Sequence, residues 1–213
     1  MPARLRPTAP IAGDAILVGD PGRALMLAQE LLDQPKMSNH ARGLWGYSGV
    51  TPAGDELTIQ ATGMGGPSAA VVLADLAELG VKRAIRIGTC ASLGDLGQGE
   101  LVVVTKAHRF RGNSAAPDPA LTGQLREALP AATAGATISL DHLPAAAGEL
   151  PSLPGEVADM QTAALLEAAP DLGVALAAAL IVTERRGSEP LEDEGLEGAA
   201  KAAGAAAKAV LST

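Results

Sequence analysis

The stretch AILVGDPGR, at Ala15–Arg23, is an apolar run that ends in glycine and then supplies an arginine. Two more apolar runs end in glycine with small or polar residues: LTIQATGMGGPS at Leu57–Ser68 and AIRIGTCAS at Ala84–Ser92. Each run predicts a β-strand that continues into a tight turn. In an open α/β sheet such turns gather at one edge and form the ligand crevice.

The chemistry of these turns indicates an anion site. Glycine lets the backbone approach a ligand closely, and free N–H groups beside an arginine suit a small oxyanion such as phosphate. Arg23 and Arg86 occupy matching places in the first and third runs. We expect Arg86 at a strand end, where its side chain would contribute little to the core. The three runs therefore predict an oxyanion site built by several loops.

Length and composition predict one domain that spans residues 1–213. Apolar residues make up 47% of the chain, yet only Trp45, Tyr47 and Phe110 are aromatic, so the core must consist of Ala, Leu, Val and Ile. Such side chains pack well between helices and a parallel sheet.

Hydrophobic periodicity predicts alternating strands and helices. Val174–Thr183 suits either a buried helix or a strand, because an alanine run is followed by ALIVT. This alternation predicts an α/β fold with a central mixed, mainly parallel twisted sheet flanked by helices. The predicted strands are Ala15–Val18, Leu44–Val50, Leu57–Thr62, Lys82–Ile87, Glu100–Lys106 and Thr137–Leu140, and the predicted helices are Pro21–Asp33, Ser68–Leu79, Gln161–Ala169 and Leu196–Leu211.

Charge and cysteine content narrow the class of protein. A net charge of −8 without any run of Lys or Arg argues against a nucleic-acid partner. Cys90 is the only cysteine, so no intramolecular disulfide can form and a reducing compartment is expected. No stretch has the length and apolarity of a targeting or membrane-spanning segment, and His40, His108 and His142 lack metal-ligand spacing. We expect a cytoplasmic protein with no metal and no membrane partner.

Four motifs occur in a characteristic order along the chain. They are GDPGR at Gly19–Arg23, RGLWGYSG at Arg42–Gly49, TGMGGPSAA at Thr62–Ala70 and RIGTCAS at Arg86–Ser92. Together they resemble the nucleoside phosphorylase family that includes the hexameric bacterial purine nucleoside phosphorylases and the uridine phosphorylases. The resemblance is dense over Ala15–Val104 and thinner afterwards.

The resemblance implies which residues hold phosphate. In the family, the glycine and arginine of the first motif and the arginine and hydroxyl of the fourth bind it; here these are Gly19, Arg23, Arg86 and Thr89. The resemblance also implies that Arg42 reaches into the site of a neighbouring subunit. Guanidinium groups bind phosphate oxygens in bidentate fashion, which fits these roles. The alternative for each arginine is a surface salt bridge.

The resemblance further implies a ribose site formed by Met64, Met160 and Gln161. The stretch VADMQTAALL, at Val157–Leu166, resembles a family pattern in which an acid grips the ribose hydroxyls, and Gln161 stands in place of that acid. A glutamine can donate and accept hydrogen bonds, but it lacks the charge that strengthens them. The alternative for Met64 is a core methionine.

The residues expected to contact the nucleoside base differ more from the family pattern. Leu143 stands where the resemblance places an aromatic platform, and Cys90 and Ala91 are expected beside the base. Glu184, at the end of an apolar run, matches the position that protonates the departing base, and a carboxylic acid there could do so. The alternative is that Glu184 belongs to an exposed charged turn.

The resemblance implies phosphorolysis of the N-glycosidic bond of a nucleoside, preferably a purine nucleoside, giving ribose 1-phosphate and free base. Glu184 and Arg86 are the predicted catalytic residues. Inorganic phosphate is the co-substrate, and no metal or organic cofactor is expected. Trp45 and Tyr47 suit an interface, and the family implies a homo-oligomer, a hexamer built as a trimer of dimers. Three alternatives stay open: a uridine phosphorylase, a nucleosidase that uses water, and a non-catalytic homologue that binds nucleoside or phosphate.

Overall fold

A mixed sheet of ten strands is the framework of the protein in the residues that the computed structural model describes, which are 4–141, 154–185 and 187–212. The strands are β1 (Asp14–Val18), β2 (Asp33–Asn39), β3 (Gly46–Val50), β4 (Glu56–Ala61), β5 (Arg83–Ser92), β6 (Leu101–Arg109), β7 (Ser114–Ala115), β8 (Thr133–Ser139), β9 (Val157–Asp159) and β10 (Ala175–Glu184). The helices are α1 (Pro21–Leu31), α2 (Gly66–Glu78), α3 (Pro119–Ala128), α4 (Thr162–Ala168) and α5 (Asp193–Leu211).

Strand β5 belongs both to the parallel centre of this sheet and to a closed ring of strands beside it. Parallel pairing joins β4, β1, β5 and β10 at the centre, and β3 and β2 extend the sheet in antiparallel fashion beyond β4. On the other side the pairings close into a ring, because β10 pairs with β6, β6 with β8, β8 with β9, and β9 again with β5. The predicted mixed sheet flanked by helices is confirmed.

Two of the three predicted turns form at the ends of neighbouring strands. After β1, Asp20 caps α1 by accepting a hydrogen bond of 2.7 Å from the backbone of Arg23, and Pro21 fits the first helical turn. After β4, the chain turns through Gly63 and Gly65 at φ of 72° and 82° and then enters α2. Positive φ is readily adopted only by glycine, which explains these residues.

The helices bury the two faces of the sheet in two apolar layers. One layer includes residues of α1, α3 and α5, and the other includes residues of α2 and α4. Helix α5 is rich in alanine and packs closely on α1. A Cβ on Gly204 would lie 2.7 Å from Cδ2 of Leu27, so a larger residue would force the Leu27 side chain to move. As expected from the composition, the buried apolar side chains are almost all aliphatic.

The third predicted turn is wrong. Strand β5 does not end at Ile87 but continues through Gly88 to Ser92. Its hydrogen bonding is satisfied further along, because β10 pairs with it up to Ala91 and β9 pairs with Ala91 and Ser92. Arg86 therefore lies inside a strand, and its place does not match that of Arg23 in the first turn of α1.

Other elements depart from the sequence-based predictions in informative ways. The stretch Val174–Thr183, which suited helix or strand, forms β10 and is buried along most of its length. Strand β2 (DQPKMSN) was not predicted, because it is a mostly exposed edge strand with little apolar pattern. Helix α3 and the three-residue β9 were also missed.

Candidate active site

The turns after β1 and β4 meet at the start of α4. A Cβ on Gly19 would lie 3.5 Å from the carbonyl oxygen of Gly63 and 3.8 Å from Oε1 of Gln161. The Thr62 hydroxyl lies 3.0 Å from the carbonyl oxygen of Val18 and 3.1 Å from Oε1 of Gln161. The predicted convergence of Gly19 with the second glycine turn is thus present in the structure.

Arg86 reaches this convergence from β5, and its side chain is buried. Its Nε donates to the Thr162 hydroxyl at 3.1 Å and its Nη1 to Oε1 of Gln161 at 2.6 Å. Its Nη2 pairs with Oδ2 of Asp159 at 3.1 Å. Burial lowers the pKa of the Arg86 guanidinium, and the negative charge of Asp159 opposes that effect. Every nitrogen of the Arg86 guanidinium therefore has a partner inside the protein.

Asp159 is the centre of this polar cluster and was not predicted as a site residue. Its side chain is fully buried. Besides Arg86, its Oδ2 accepts from the Thr162 backbone at 2.9 Å, the Thr162 hydroxyl at 2.5 Å and the Gln161 backbone at 3.1 Å. Its Oδ1 accepts from the Ser139 hydroxyl at 2.5 Å. The signal that could have found it is a carboxylate placed just before a helix, where it caps the free N–H groups.

Gly88 makes room for the Arg86 side chain. The two residues are two positions apart on β5 and so share a face of the strand. A Cβ on Gly88 would lie 2.5 Å from Nη2 of Arg86, and also 2.9 Å from Cδ2 of Leu180 on β10. Gly88, the glycine of the fourth motif, thus leaves space for the Arg86 side chain, although it forms no turn.

Arg23 brings a second positive charge to the same place. Burial is the main factor that lowers the pKa of its guanidinium; the nearby Asp20 raises that pKa, and the positive charge of Arg86 lowers it again. The ionic groups described in the structure include no salt-bridge partner for Arg23. Two positive charges that influence each other, one of them without a salt bridge among the described groups, favour a bound anion. Thr89 is three positions beyond Arg86 on β5 and is partly exposed, and none of its described contacts joins it to Arg23 or Arg86.

Arg42 lies apart from this pair. It is exposed in a short 3-10 helix, Ala41–Gly43, and has a φ of 60°, a left-handed conformation that is unusual for arginine. None of its described contacts joins it to Arg23 or Arg86. Trp45 is 37% exposed, whereas Tyr47 is buried in the core. The interface role predicted for Tyr47 is therefore wrong for its ring, since that ring already packs within the chain.

The predicted ribose residues have different surroundings. Met64 is 87% exposed in the turn between β4 and α2, which excludes the alternative of a core methionine. Met160 is partly buried, and its carbonyl oxygen lies near Gly66 at the start of α2. Gln161 is buried, and its amide is engaged with Arg86, Thr62 and the carbonyl oxygen of Gly63.

The described residues that were predicted to contact the base lie near the ends of β5 and β10. Ala91 pairs with Glu184 of β10 and with Ala158 of β9, so it stands between the acid and the cluster around Asp159. Glu184 is exposed. Cys90 is buried, with its thiol 3.5 Å from the carbonyl oxygen of Ile181. Burial raises the pKa of that thiol, which keeps it protonated and unsuited to act as a nucleophile. Leu143 lies outside the described residues.

Within the described ranges, no three His, Cys, Asp or Glu side chains come together as a potential metal site. None of the described helices has the length and apolar character needed to cross a membrane.

Comparison with known proteins places the chain in a family. A family model described as the phosphorylase superfamily matches residues 14–213. The chain is similar to the DeoD-type purine nucleoside phosphorylase of Oceanobacillus iheyensis, with 42% identity over 84 residues, or 39% of this chain and 35% of that one. It is also similar to that of Caldanaerobacter subterraneus, with 38% identity over 117 residues, or 50% of each. The chain thus spans about half, or less, of the length of these curated relatives.

Solved structures share the fold over nearly the whole chain. One is purine nucleoside phosphorylase from Toxoplasma gondii in complex with immucillin-H, with a TM-score of 0.83, 22% identity and coverage of 95% of this chain and 91% of that one. Another is uridine phosphorylase from Vibrio fischeri, with a TM-score of 0.83, 21% identity and coverage of 95% and 92%. The match of the family model over residues 14–213, together with this shared fold, shows that the chain belongs to the phosphorylase superfamily.

Proposed function

We propose that this chain cleaves the N-glycosidic bond of a nucleoside with inorganic phosphate, giving ribose 1-phosphate and free base, and that purine nucleosides are its preferred substrates. The observation that carries the proposal is the meeting of the glycine turns after β1 and β4 with the buried Arg86 side chain, whose positive charge also lowers the pKa of the Arg23 guanidinium. Similarity to DeoD-type purine nucleoside phosphorylases supports the purine preference.

Phosphate would bind between the Gly19 turn, Arg23 and the Arg86 end of the polar cluster, with the Thr89 hydroxyl as a further donor. Its oxygen forms the new bond to C1′ of the sugar as the bond from C1′ to the base nitrogen breaks, and the electron pair leaves with the base. The sugar gains positive charge along this path. A phosphate held against it by fixed cations stabilises that charge electrostatically. Exposed Met64 and partly buried Met160 would pack against the ribose.

Glu184 would assist the leaving base. As a carboxylic acid it would donate a proton to a ring nitrogen, so that the base leaves as a neutral molecule. Its exposure at the end of β10 and its pairing with Ala91 support access to a ligand at this edge. No metal or organic cofactor enters the proposed reaction.

The proposal also covers the oligomeric state of the protein and its cellular location. We infer a homo-hexamer in the cytoplasm, in which Arg42 supplies a third positive charge to the site of a neighbouring subunit. The exposed Trp45, three positions after Arg42 in the chain, and the left-handed backbone of Arg42 support an interface there. The single buried thiol, Cys90, suits a reducing compartment.

One observation favours a second candidate, a homologue that binds phosphate without catalysis. Arg86 is already neutralised by Asp159 and hydrogen-bonded by Gln161 and Thr162. If those contacts persist when phosphate binds, only Arg23 and the Arg42 proposed to come from a neighbouring subunit are free to provide the charge that the reaction needs.

A substrate screen decides between these functions. Inosine, guanosine, adenosine and uridine are incubated with the protein, with and without phosphate, and free base and ribose 1-phosphate are quantified. We expect phosphate-dependent release of base from the purine nucleosides. Preference for uridine would identify a uridine phosphorylase, and release without phosphate a nucleosidase. Phosphate binding by calorimetry without any release of base would identify the non-catalytic homologue.

A further inference from the structure

We propose that Gln161 is a positioning residue: it holds the Arg86 guanidinium against the turn after β4 and does not read the sugar hydroxyls. This inference rests on the proposed function. The sequence resemblance implies a ribose contact for Gln161, whereas in a positioning role the Gln161 amide contacts no part of the sugar.

The contacts of the Gln161 amide fix its orientation. Oε1 accepts from Nη1 of Arg86 at 2.6 Å and lies 3.1 Å from the Thr62 hydroxyl. Nε2 donates to the carbonyl oxygen of Gly63. An amide turned the other way would set its NH2 group against the guanidinium and its oxygen against a carbonyl. Both polar atoms of the Gln161 amide therefore bind groups of the protein: Oε1 binds Arg86 on β5, and Nε2 binds the Gly63 carbonyl in the turn after β4.

The backbone of Gln161 is held as firmly as its side chain. Its N–H donates to Oδ2 of Asp159 at 3.1 Å, and its carbonyl oxygen accepts from Leu165 in the first turn of α4. The residue is only 3% exposed. A sugar hydroxyl would have to displace one of these internal partners to reach the amide. Breaking a buried, charge-assisted hydrogen bond opposes such an exchange.

An amide suits this position better than a carboxylate would. Only the amide can accept from Arg86 and donate to Gly63 at the same time. A carboxylate would set a negative oxygen against the Gly63 carbonyl and a second charge beside Asp159. The neutral amide adds no second negative charge beside Arg86 and Asp159, so it does not oppose the approach of an anion.

The experiment compares wild type with Gln161→Met, which has similar length and no hydrogen bonds. We measure the dissociation constant of inorganic phosphate by calorimetry and kcat/KM for inosine and 2′-deoxyinosine. A positioning role predicts that phosphate binds about tenfold more weakly or worse, because Arg86 loses its support. The ratio of the two nucleoside kcat/KM values stays within about twofold of wild type, since no sugar contact is lost. Thr137→Val, at a buried hydroxyl with no described partner, is the matched control.

Gln161→Glu provides a second test in case Gln161→Met does not fold. It keeps an acceptor for Arg86, and its added charge is expected to weaken phosphate binding without changing preference between the two sugars. A sugar contact would instead be strengthened by a carboxylate, and preference for inosine would rise. Either a shift of more than about twofold in that preference or unchanged phosphate affinity in both variants would overturn the inference. A wild-type protein that binds phosphate but cleaves neither nucleoside would refute the proposed function alone, and the phosphate dissociation constants would still decide the role of Gln161.

Discussion

Gly88 lies directly beneath the guanidinium of Arg86: a Cβ built on Gly88 would come within 2.5 Å of Nη2 and 2.8 Å of Cζ. Gly88→Ala should therefore displace the Arg86 side chain from Asp159. We expect phosphate affinity, measured by calorimetry, to fall by about tenfold or more, as for loss of a charge-assisted contact. Gly94→Ala is the control, because its Cβ would meet nothing within 4 Å. Equal affinities in the two variants would contradict the placement of Arg86 in the site.

Arg86→Ala should destabilise the fold as well as weaken phosphate binding. The sequence led us to expect little contribution of Arg86 to the core, but its partner Asp159 is fully buried. Removing one member of a buried ion pair typically costs about 3–5 kcal/mol of the free energy of unfolding. Urea denaturation measures this. Arg83→Ala, on the same strand, removes a partly exposed pair with Asp14 and a hydrogen bond to the Leu211 carbonyl oxygen, and should cost less, about 1–2 kcal/mol. A stable Arg86→Ala protein would show that Asp159 has other means of compensation.

Glu184→Gln tests the proposed acid. A positioned acid contributes about 10²–10⁴-fold to the rate, so turnover of inosine and guanosine should fall sharply while phosphate affinity stays the same. The defect should shrink on a ribosyl base with a fixed positive charge, which leaves without protonation. Glu192→Gln, at another exposed acid, is the control. If Glu184→Gln cleaves inosine within a few-fold of wild type, Glu184 is only part of a charged turn.

Cys90 should be inert in the folded protein. Burial raises the pKa of its thiol, so folding favours the protonated form. The unfolded chain ionises this group near its ordinary value of about 8.5. The associated stability is thus complete below that pH and is lost as the pH rises above it. We expect iodoacetamide to label Cys90 at pH 8 only in urea, and Cys90→Ala to reduce the loss of stability at alkaline pH. Rapid labelling without urea would contradict this.

The assembly can be measured directly. Light scattering should give a mass about six times that of the 21.3 kDa chain. Because Trp45 is exposed and follows Arg42 closely in the chain, Trp45→Glu should weaken the assembly. Arg42→Ala should lower phosphate affinity without changing the mass. Val50→Glu, at another exposed apolar residue, controls for added charge. A fully active wild-type monomer would refute the hexamer.

Local signals predicted the first two turns well. Asp20 and Pro21 mark the start of a helix, and the glycines at 63 and 65 are required by positive φ, so short-range chemistry decides both places. The third run failed, because the pairing of β5 with β9 and β10 determines its course. A strand with partners on both sides can pass through glycine, and nothing in AIRIGTCAS itself reveals those partners.

The polar cluster was only half predictable. Arg86 and Gln161 were singled out from motifs, but their contact with each other was not, and Asp159 and Thr162 were missed as partners. These residues come together only through pairing of β5 with β9 and the placement of α4 behind it. Side-chain partners across such distances follow from the fold and leave no periodic trace in the sequence.

The polar cluster also makes ligand binding depend on the whole chain. Asp159 lies 73 residues beyond Arg86, and Gln161 lies 99 residues beyond Thr62. All four motifs precede β9, so a fragment ending before Val157 would keep every motif yet leave Arg86 without Asp159, Gln161 or Thr162. Such a fragment, or a partly folded state that resembles it, would have little affinity for phosphate. Added phosphate would therefore drive folding to completion by mass action, and the amount of phosphate bound would measure the fraction of fully folded chains.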